Sequence, residues 1–351
     1  MLNKKVVVVG DACIDIHIKL SDYLNEDSSK QMPYVACLGG TIANTALSIK
    51  RLGVDVSFLG SVGDDYAGKQ IITKLKENNI DTSLTIVEKQ LNTINVFALI
   101  DDLGERHLWG YPRENTACSY LNLEHIDLDA VKNACWLHSS GMTLLNDGSL
   151  QESIVELFKL AYENNVPTSF DFNTRVNDIK LLNPKAVESI KKLLPYVKYL
   201  TGSYEEFMSF YPSENIVDSV KYFASQGKVC VARNGKEGYL CISSDNIING
   251  KEFNIKVIDS TGAGDNFDAG FIVAMLENKS VEEACEYGNA VAAYKISNTE
   301  LINRDNIDKF VKEEKLNEKS NSWLWSWSWW CVCHYVGSTK SRFIRCYNRW
   351  W

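Results

Sequence analysis

Val6 to Val9 is apolar at every position and meets Gly10 at once, which predicts a central parallel strand covered on both faces. Asp11 and Asp15 follow at its carboxyl end, and one of the two is expected to be a turn or cap residue. From Ile16 to Cys37 the pattern is irregular and polar. After Gly39-Gly40, Ala43, Ala46, Leu47 and Leu52 form the apolar stripe of a helix from Thr41 to Leu52. Val54 to Leu59 reads as a strand, and Gly60-Ser61-Val62-Gly63-Asp64-Asp65 turns it into an amphipathic helix from Tyr66 to Asn78. Between Leu84 and Tyr111 helices are missing: Leu84 to Val87, Thr93 to Ile100, a turn at Asp101 to Gly104 and Arg106 to Trp109 predict a small antiparallel insertion. With the segment after Asp15 it would form a lid, spanning roughly 12–38 and 84–118.

The α/β alternation then resumes, with strands at Ala134 to His138, Pro167 to Phe170 and Tyr196 to Leu200, and helices at Leu150 to Glu163 and Pro184 to Leu194. Helix Ile216 to Gln226, strands Val229 to Arg233 and Gly238 to Ile242, and a turn at Asp245-Asn246 come next. They lead to a short apolar strand, Ile255 to Ile258. A helix from Asn266 to Leu276 carries Phe267, Phe271 and Met275 on one face, and Val281 to Ile296 and Arg304 to Glu314 close the pattern. No internal repeat or linker interrupts it, so the expectation is one α/β unit over 1–316 with a lid.

Composition narrows what this unit can do. With 351 residues and 45% apolar positions a large core is affordable, and a net charge of −8 argues against a nucleic-acid or anionic-membrane surface. The short apolar run at the start is no signal peptide, and no stretch of about 18 apolar residues occurs, so a cytoplasmic location is expected. Ten cysteines include no Cys-x-x-Cys pair. Cys13, Cys37, Cys118, Cys135, Cys230, Cys241 and Cys285 fall mostly in apolar segments, as free thiols would.

The tail from 317 to 351 departs from all of this, holding seven of the nine tryptophans and, from Asn321 on, no acids. Trp323 to Trp330 alternates Trp with Ser and Leu, and an Ala-Gly codon repeat read in another frame gives Trp-Ser. The tail is therefore expected to lie outside the fold. Cys331-Val332-Cys333-His334 has metal-ligand residue types but no second half.

The chemistry concentrates in Asp259-Ser260-Thr261-Gly262-Ala263-Gly264-Asp265, between the strand ending at Ile258 and the helix beginning near Asn266. Glycines flanking an alanine let successive backbone N–H groups converge at a helix N-terminus, where the macrodipole favours an anion such as a phosphate. Asp265 beside such a nest suits a base that takes a proton from an incoming hydroxyl. A tight turn with a first-turn acid reads the same residues without function. Asp171-Phe172-Asn173-Thr174-Arg175 puts three polar side chains at a strand end. Ser203-Tyr204-Glu205-Glu206 is either a helix capping box or metal-related. Tyr111 and Arg113 leave the lid towards a ligand or towards solvent.

Together these patterns resemble the ribokinase-like, or PfkB, family of carbohydrate kinases over roughly residues 5 to 315. The first signature matches Gly39-Gly40, Ala43-Asn44-x-Ala46, Leu52-Gly53 and Gly60 to Asp65 with Gly68. The second matches Asp259 to Asp265 with Phe267 and Ala269-Gly270, while Asp171-x-Asn173-x-Arg175 and Gly288-Asn289-Ala290 also fit. Ser203-x-x-Glu206 departs from the family's common Asn-x-x-Glu.

The resemblance implies a three-layer sandwich around a mostly parallel sheet with a small β lid, and transfer of phosphate from ATP with Mg²⁺. ATP would lie near Asn173, Ser203, Glu206, Arg233, Gly235, Val257, Thr261 and Asn289, its γ-phosphate at Gly262, Ala263 and Gly264, with Asp265 as base. Asp15, Gly39, Gly40, Asn44, Tyr111, Arg113 and Arg175 would hold the sugar. Glu206 would reach Mg²⁺ through water, and Asp259 and Thr261 a monovalent cation such as K⁺. A homodimer through the lid is the implied assembly. The Tyr111-x-Arg113 arrangement with Arg175 resembles fructokinases and 2-keto-3-deoxygluconate kinases, so a ketohexose or keto-deoxy sugar acid is expected. Ribose, a nucleoside, or a non-catalytic sugar-binding regulator are the alternatives. A dinucleotide-binding dehydrogenase fails, because no Gly-x-Gly-x-x-Gly follows Val9.

Overall fold

The computed structural model describes residues 5–19, 34–100, 106–112, 115–244, 246–251 and 253–313. Arg113, the turn at Asp101 to Gly104, Asp245 and the whole 317–351 tail with its Trp run and Cys331 to His334 lie outside the described residues. Described residues up to Ile307 form one compact unit.

In chain order the strands are β1 Val6–Val9, β2 Cys13–Lys19, β3 Val35–Gly39, β4 Val56–Gly63, β5 Thr85–Glu88, β6 Asn95–Ile100, β7 Arg106–Tyr111, β8 Trp136–Ser140, β9 Thr168–Asp171, β10 Tyr199–Ser203, β11 Val229–Arg233, β12 Tyr239–Ser243 and β13 Asn246–Gly250. Among the described residues one sheet runs β13-β12-β11-β10-β9-β8-β1-β4-β5, and a second runs β3-β2-β6-β7. The large sheet is parallel from β5 through β11 and antiparallel only at β12 and β13. That order puts the carboxyl ends of β1, β9, β10 and β11 along one edge, where open α/β sheets place their ligands. The expected core is present: Val6 to Val9 are buried on both faces, and Leu157, Phe158, Phe170, Phe172 and Phe207 join the main apolar cluster.

Five expectations are corrected. The stretch from Ile16 to Cys37 is not irregular where described, for Ile14, Ile16 and Ile18 alternate with Asp15 and His17 in β2, which pairs with β3. The polar half of that alternation disguised a strand. The segment Leu84 to Val87 is not part of the insertion: β5 joins the edge of the large sheet beside β4. Nor is the lid purely antiparallel, because β2 and β6 pair in parallel. Beyond Ser244 the chain continues into β13 rather than merely turning.

The fifth correction touches the site. Ile255 to Ile258 forms no strand; Ile258 and Asp259 both donate their N–H to the carbonyl of Ile296, at 2.7 and 3.2 Å, and Val257 and Ile258 are exposed. Their backbone is satisfied by the end of helix Val281–Ser297, which an apolar run cannot announce. That helix packs on helix Ala263–Leu276 through glycine. A Cβ on Gly270 would lie 2.8 Å from Val291 and 2.9 Å from the Cα of Gly288, so close helix approach explains both signature glycines.

Candidate active site

Gly262 caps helix Ala263–Leu276 with φ 74°, the left-handed backbone that glycine adopts at least cost. The first turn of a helix leaves amides without a carbonyl one turn back; here the Ala263 N–H donates to the Ser260 carbonyl at 3.3 Å, a long bond that an anion at the turn would replace. Asp265, in that turn, is 4% exposed. Its Oδ2 accepts a hydrogen bond from Asn44 Nδ2 at 2.9 Å, and its Oδ1 one from Asn173 Nδ2 at 3.4 Å. Burial first, and then the negative charges of Asp171 and Asp11, push its carboxyl up to about 7. A carboxyl of that affinity can exchange a proton at neutral pH.

Helix Thr41–Arg51 holds this carboxylate's surroundings. Thr45 Oγ1 donates to the Asp265 carbonyl at 3.3 Å, and Ser48 Oγ to Asn266 Oδ1 at 2.6 Å. Asn266 in turn donates through Nδ2 to the Gly262 carbonyl at 2.6 Å. The two helices thus lock the glycine turn from behind. Asp11 is the cap anticipated for one of the two early acids: its Oδ2 accepts the Thr41 N–H at 2.9 Å and its Oδ1 the Ile42 N–H at 3.4 Å. Burial raises its affinity for a proton despite those bonds.

Asp15 is the other early acid and lies on β2 opposite Cys37. Its Oδ1 accepts the Cys13 thiol at 3.1 Å, and its backbone carbonyl accepts the Cys37 thiol at 3.7 Å. A side chain on Gly39 would occupy the Asp15 carboxylate, since the Cβ would fall 2.2 Å from Oδ2. At Gly40, φ 100° and a Cβ only 2.8 Å from the Asp11 carbonyl both demand glycine. Cys13, Cys230, Cys241 and Cys285 are buried free thiols, as expected.

Past β9, Asn173 and Arg175 both hold positive φ, at 31° and 56°. This strained turn is clamped by Glu206, whose Oε1 accepts the N–H of Thr174 at 2.7 Å and of Arg175 at 3.0 Å. Its Oε2 accepts the Ser203 N–H at 2.9 Å, closing a capping box with Ser203. The capping-box reading of Glu206 holds, and three amides already use its oxygens.

Beside it, Ser203, Glu205, Arg233, Asn234, Gly235, Lys236 and Glu237 line an open cleft of about 550 Å³. Ser203, Arg233 and Gly235 meet there as expected, whereas Val257, Thr261 and Asn289 are not in its lining. Asn289 donates to the Lys251 carbonyl at 2.9 Å, and the Thr261 N–H reaches Asp259 Oδ1 at 3.0 Å. Tyr111 sits on the lid, 59% exposed, its ring 5.7 Å from that of Trp109.

A buried acid pair was missed. Asp171 and Asp268, 0% and 3% exposed, flank Arg233, whose Nη2 reaches Asp171 Oδ1 at 2.6 Å and Nη1 Asp268 Oδ1 at 3.5 Å. One acid within the otherwise apolar stretch Phe267 to Leu276 was the signal, because a carboxyl inside an apolar helix requires a partner.

The pfkB family carbohydrate kinase profile matches residues 3–308. The chain belongs to that family: it is a carbohydrate kinase, a phosphotransferase with an alcohol group as acceptor. Its curated relatives include the 5-dehydro-2-deoxygluconokinases of Clostridium beijerinckii and of Listeria monocytogenes. The first is 29% identical over 324 residues, covering 88% of this chain and 93% of the relative. The second is 27% identical over 297 residues, covering 83% and 90%. Among solved structures, an Escherichia coli protein described as a ribokinase II, in complex with ATP and Mg²⁺, is 20% identical and superposes with a TM-score of 0.78, over 88% of this chain and 99% of that one. The ATP-bound fructokinase of Xylella fastidiosa is 19% identical with a TM-score of 0.75, over 90% and 100%. These likenesses bear out the ribokinase-like sandwich with its lid sheet.

Proposed function

We propose that the protein phosphorylates a keto-deoxy sugar acid of the 5-dehydro-2-deoxygluconate kind with ATP. The observation that carries the chemistry is Asp265, buried between Asn44 and Asn173 beside the left-handed turn at Gly262. A sugar hydroxyl placed there gives its proton to the Asp265 carboxylate as its oxygen attacks the γ-phosphorus in line, and ADP leaves. The amides of Gly262, Ala263 and Gly264 hold the equatorial oxygens while negative charge spreads over them. ATP lies in the cleft at Ser203, Arg233 and Gly235. Val257 and Asn289 would border its base from the far side, with Asn173 near the phosphates.

Mg²⁺ fits this donor set. Among the described residues no three His, Cys, Asp or Glu side chains gather into a metal cage, and Mg²⁺ with a nucleotide needs only one or two carboxylates, phosphates and water. Glu206 would hold it through water, and bound there it neutralises phosphate charge. Asp259 and Thr261 keep their place as the candidate K⁺ residues. No helix among the described residues is long and apolar enough to cross a membrane.

The sugar acid is favoured over a neutral ketose by charge. Asp11, Asp15 and Asp265 make the sugar end acidic, yet the Arg175 guanidinium acts electrostatically on both Asp11 and Asp265. A cation held there on a strained turn suits a substrate carboxylate. The names of the relatives point the same way, to an isomer of the 2-keto-3-deoxygluconate expected from sequence. An ATP-coupled assay over both keto-deoxy acids, fructose and ribose tests this. The keto-deoxy acids should be the best substrates. Arg175→Ala and Arg113→Ala should each lower kcat/KM for the acid by about 10- to 100-fold, leaving fructose within a few-fold. Equal losses on acid and fructose would remove the carboxylate from the reading.

A further inference from the structure

Arg233 occupies an unusual position, because its guanidinium faces three ways. One side lines the nucleotide cleft with Ser203, Gly235 and Lys236. Another lies flat against the glycine turn: Nη1 donates to the Gly264 carbonyl at 3.1 Å, and a Cβ on Gly264 would come within 3.1 to 3.3 Å of Nη1, Cζ and Nη2. The third is gripped by Asp171 and Asp268, with the Phe267 ring 5.6 Å beneath the guanidinium carbon. Asp268 is itself fixed by Thr201 Oγ1 at 2.9 Å.

We propose that Asp268 and Asp171 are positioning residues which hold the Arg233 guanidinium between the glycine turn and the cleft, so that it binds the terminal phosphate of the nucleotide. Only a planar fork can meet the Gly264 carbonyl, two carboxylates and a phosphate at once, and a lysine ammonium cannot. Glycine at 264 also lets the guanidinium lie this close, because a Cβ there would make it give way by a few tenths of an ångström. The two acids differ in proton affinity. Burial, and then the neighbouring Asp171 charge, raise the proton affinity of Asp268, whereas Arg233 lowers that of Asp171 against the cost of burial.

The proposal rests on the glycine turn being the phosphate site, and not on which sugar is used. Its test is therefore nucleotide binding without sugar, comparing the dissociation constants of MgATP and MgADP by calorimetry, followed by kcat. The wild type should prefer ATP. Arg233→Lys, Asp268→Leu and Gly264→Ala should each cut that preference by about tenfold or more while ADP affinity stays within a few-fold, with kcat falling in parallel. Asp268→Asn, which preserves the shape and the Thr201 contact, should lose less than Asp268→Leu. Equal weakening of ATP and ADP would mean that the cluster only supports the fold, and would overturn the proposal. So would an unchanged ratio in Arg233→Lys, a variant that keeps the charge and the means to fold. A wild type that does not distinguish ATP from ADP would instead count against the phosphate turn itself.

Discussion

Asp265 is placed where ionisation costs a carboxylate most, inside the protein and within the field of Asp171 and Asp11. Because its affinity for a proton is raised from the ordinary 3.8 to about 7, the folded state binds that proton more tightly than the unfolded chain does. Stability is therefore lost as pH rises from about 4 to about 7, and the loss is complete above that. With Asp265 as the proposed base, which works only when deprotonated, the same shift should make kcat/KM fall about tenfold per pH unit below about pH 7. Asp265→Asn removes both effects. Its turnover should drop roughly 10²- to 10⁴-fold with sugar binding retained, while thermal unfolding at pH 8 should move to higher temperature than in the wild type. At pH 4 the two proteins should melt alike. Unchanged turnover, or an acid limb centred near pH 4, would exclude Asp265 as the base.

At the level of elements, the turn after β9 shows how one buried carboxylate can order two residues proposed to bind ligands. Positive φ at Asn173 and Arg175 costs on the order of 1 to 3 kcal/mol each, and such strain persists only where the surroundings over-determine it. Glu206 is what over-determines it, through the Thr174 and Arg175 amides. Glu206→Ala should leave buried amides without acceptors and destabilise the protein by about 3 kcal/mol. It should also raise KM for the sugar acid, since Arg175 and Asn173 lose their placement. A change in Mg²⁺ dependence with unaltered melting and sugar KM would instead assign Glu206 to the metal.

Sequence made the cap alternative for Ser203 and Glu206 readable, because capping is local and spaced by three residues. It did not reveal that Glu206 reaches across to Thr174, or that Asp268 meets Asp171, because those contacts join distant parts of the chain. The parallel strands were legible from their apolar runs, and β2 was not, since its alternation mixes isoleucine with Asp15 and His17. The segment before Asp259 failed for the opposite reason: an apolar run promises burial, and only the position of Ile296 decides whether a sheet is there to receive it.

For the molecule as a whole, the lid sheet poses the remaining question. On one face Phe97, Trp109 and Tyr111 form a row, with ring centroids 5.8 and 5.7 Å apart, and on the other Val35 and Leu108 are exposed. Large apolar side chains exposed on both faces of a four-stranded sheet suit an association surface better than a solvated one. A second copy of the lid is the occupant that the twofold rule of homo-oligomers favours, since the same apolar patch would meet itself. Asp15, proposed to hold the sugar, lies on β2 of this sheet, so pairing two lids would stiffen the site from outside. Light scattering of protein truncated after Leu316 should then give a dimer at micromolar concentration. Trp109→Glu should give a monomer whose KM for the sugar rises several-fold while MgADP binding is unaffected. A monomeric parent protein, or a monomeric Trp109→Glu variant with an unchanged sugar KM, would detach the lid's apolar faces from catalysis.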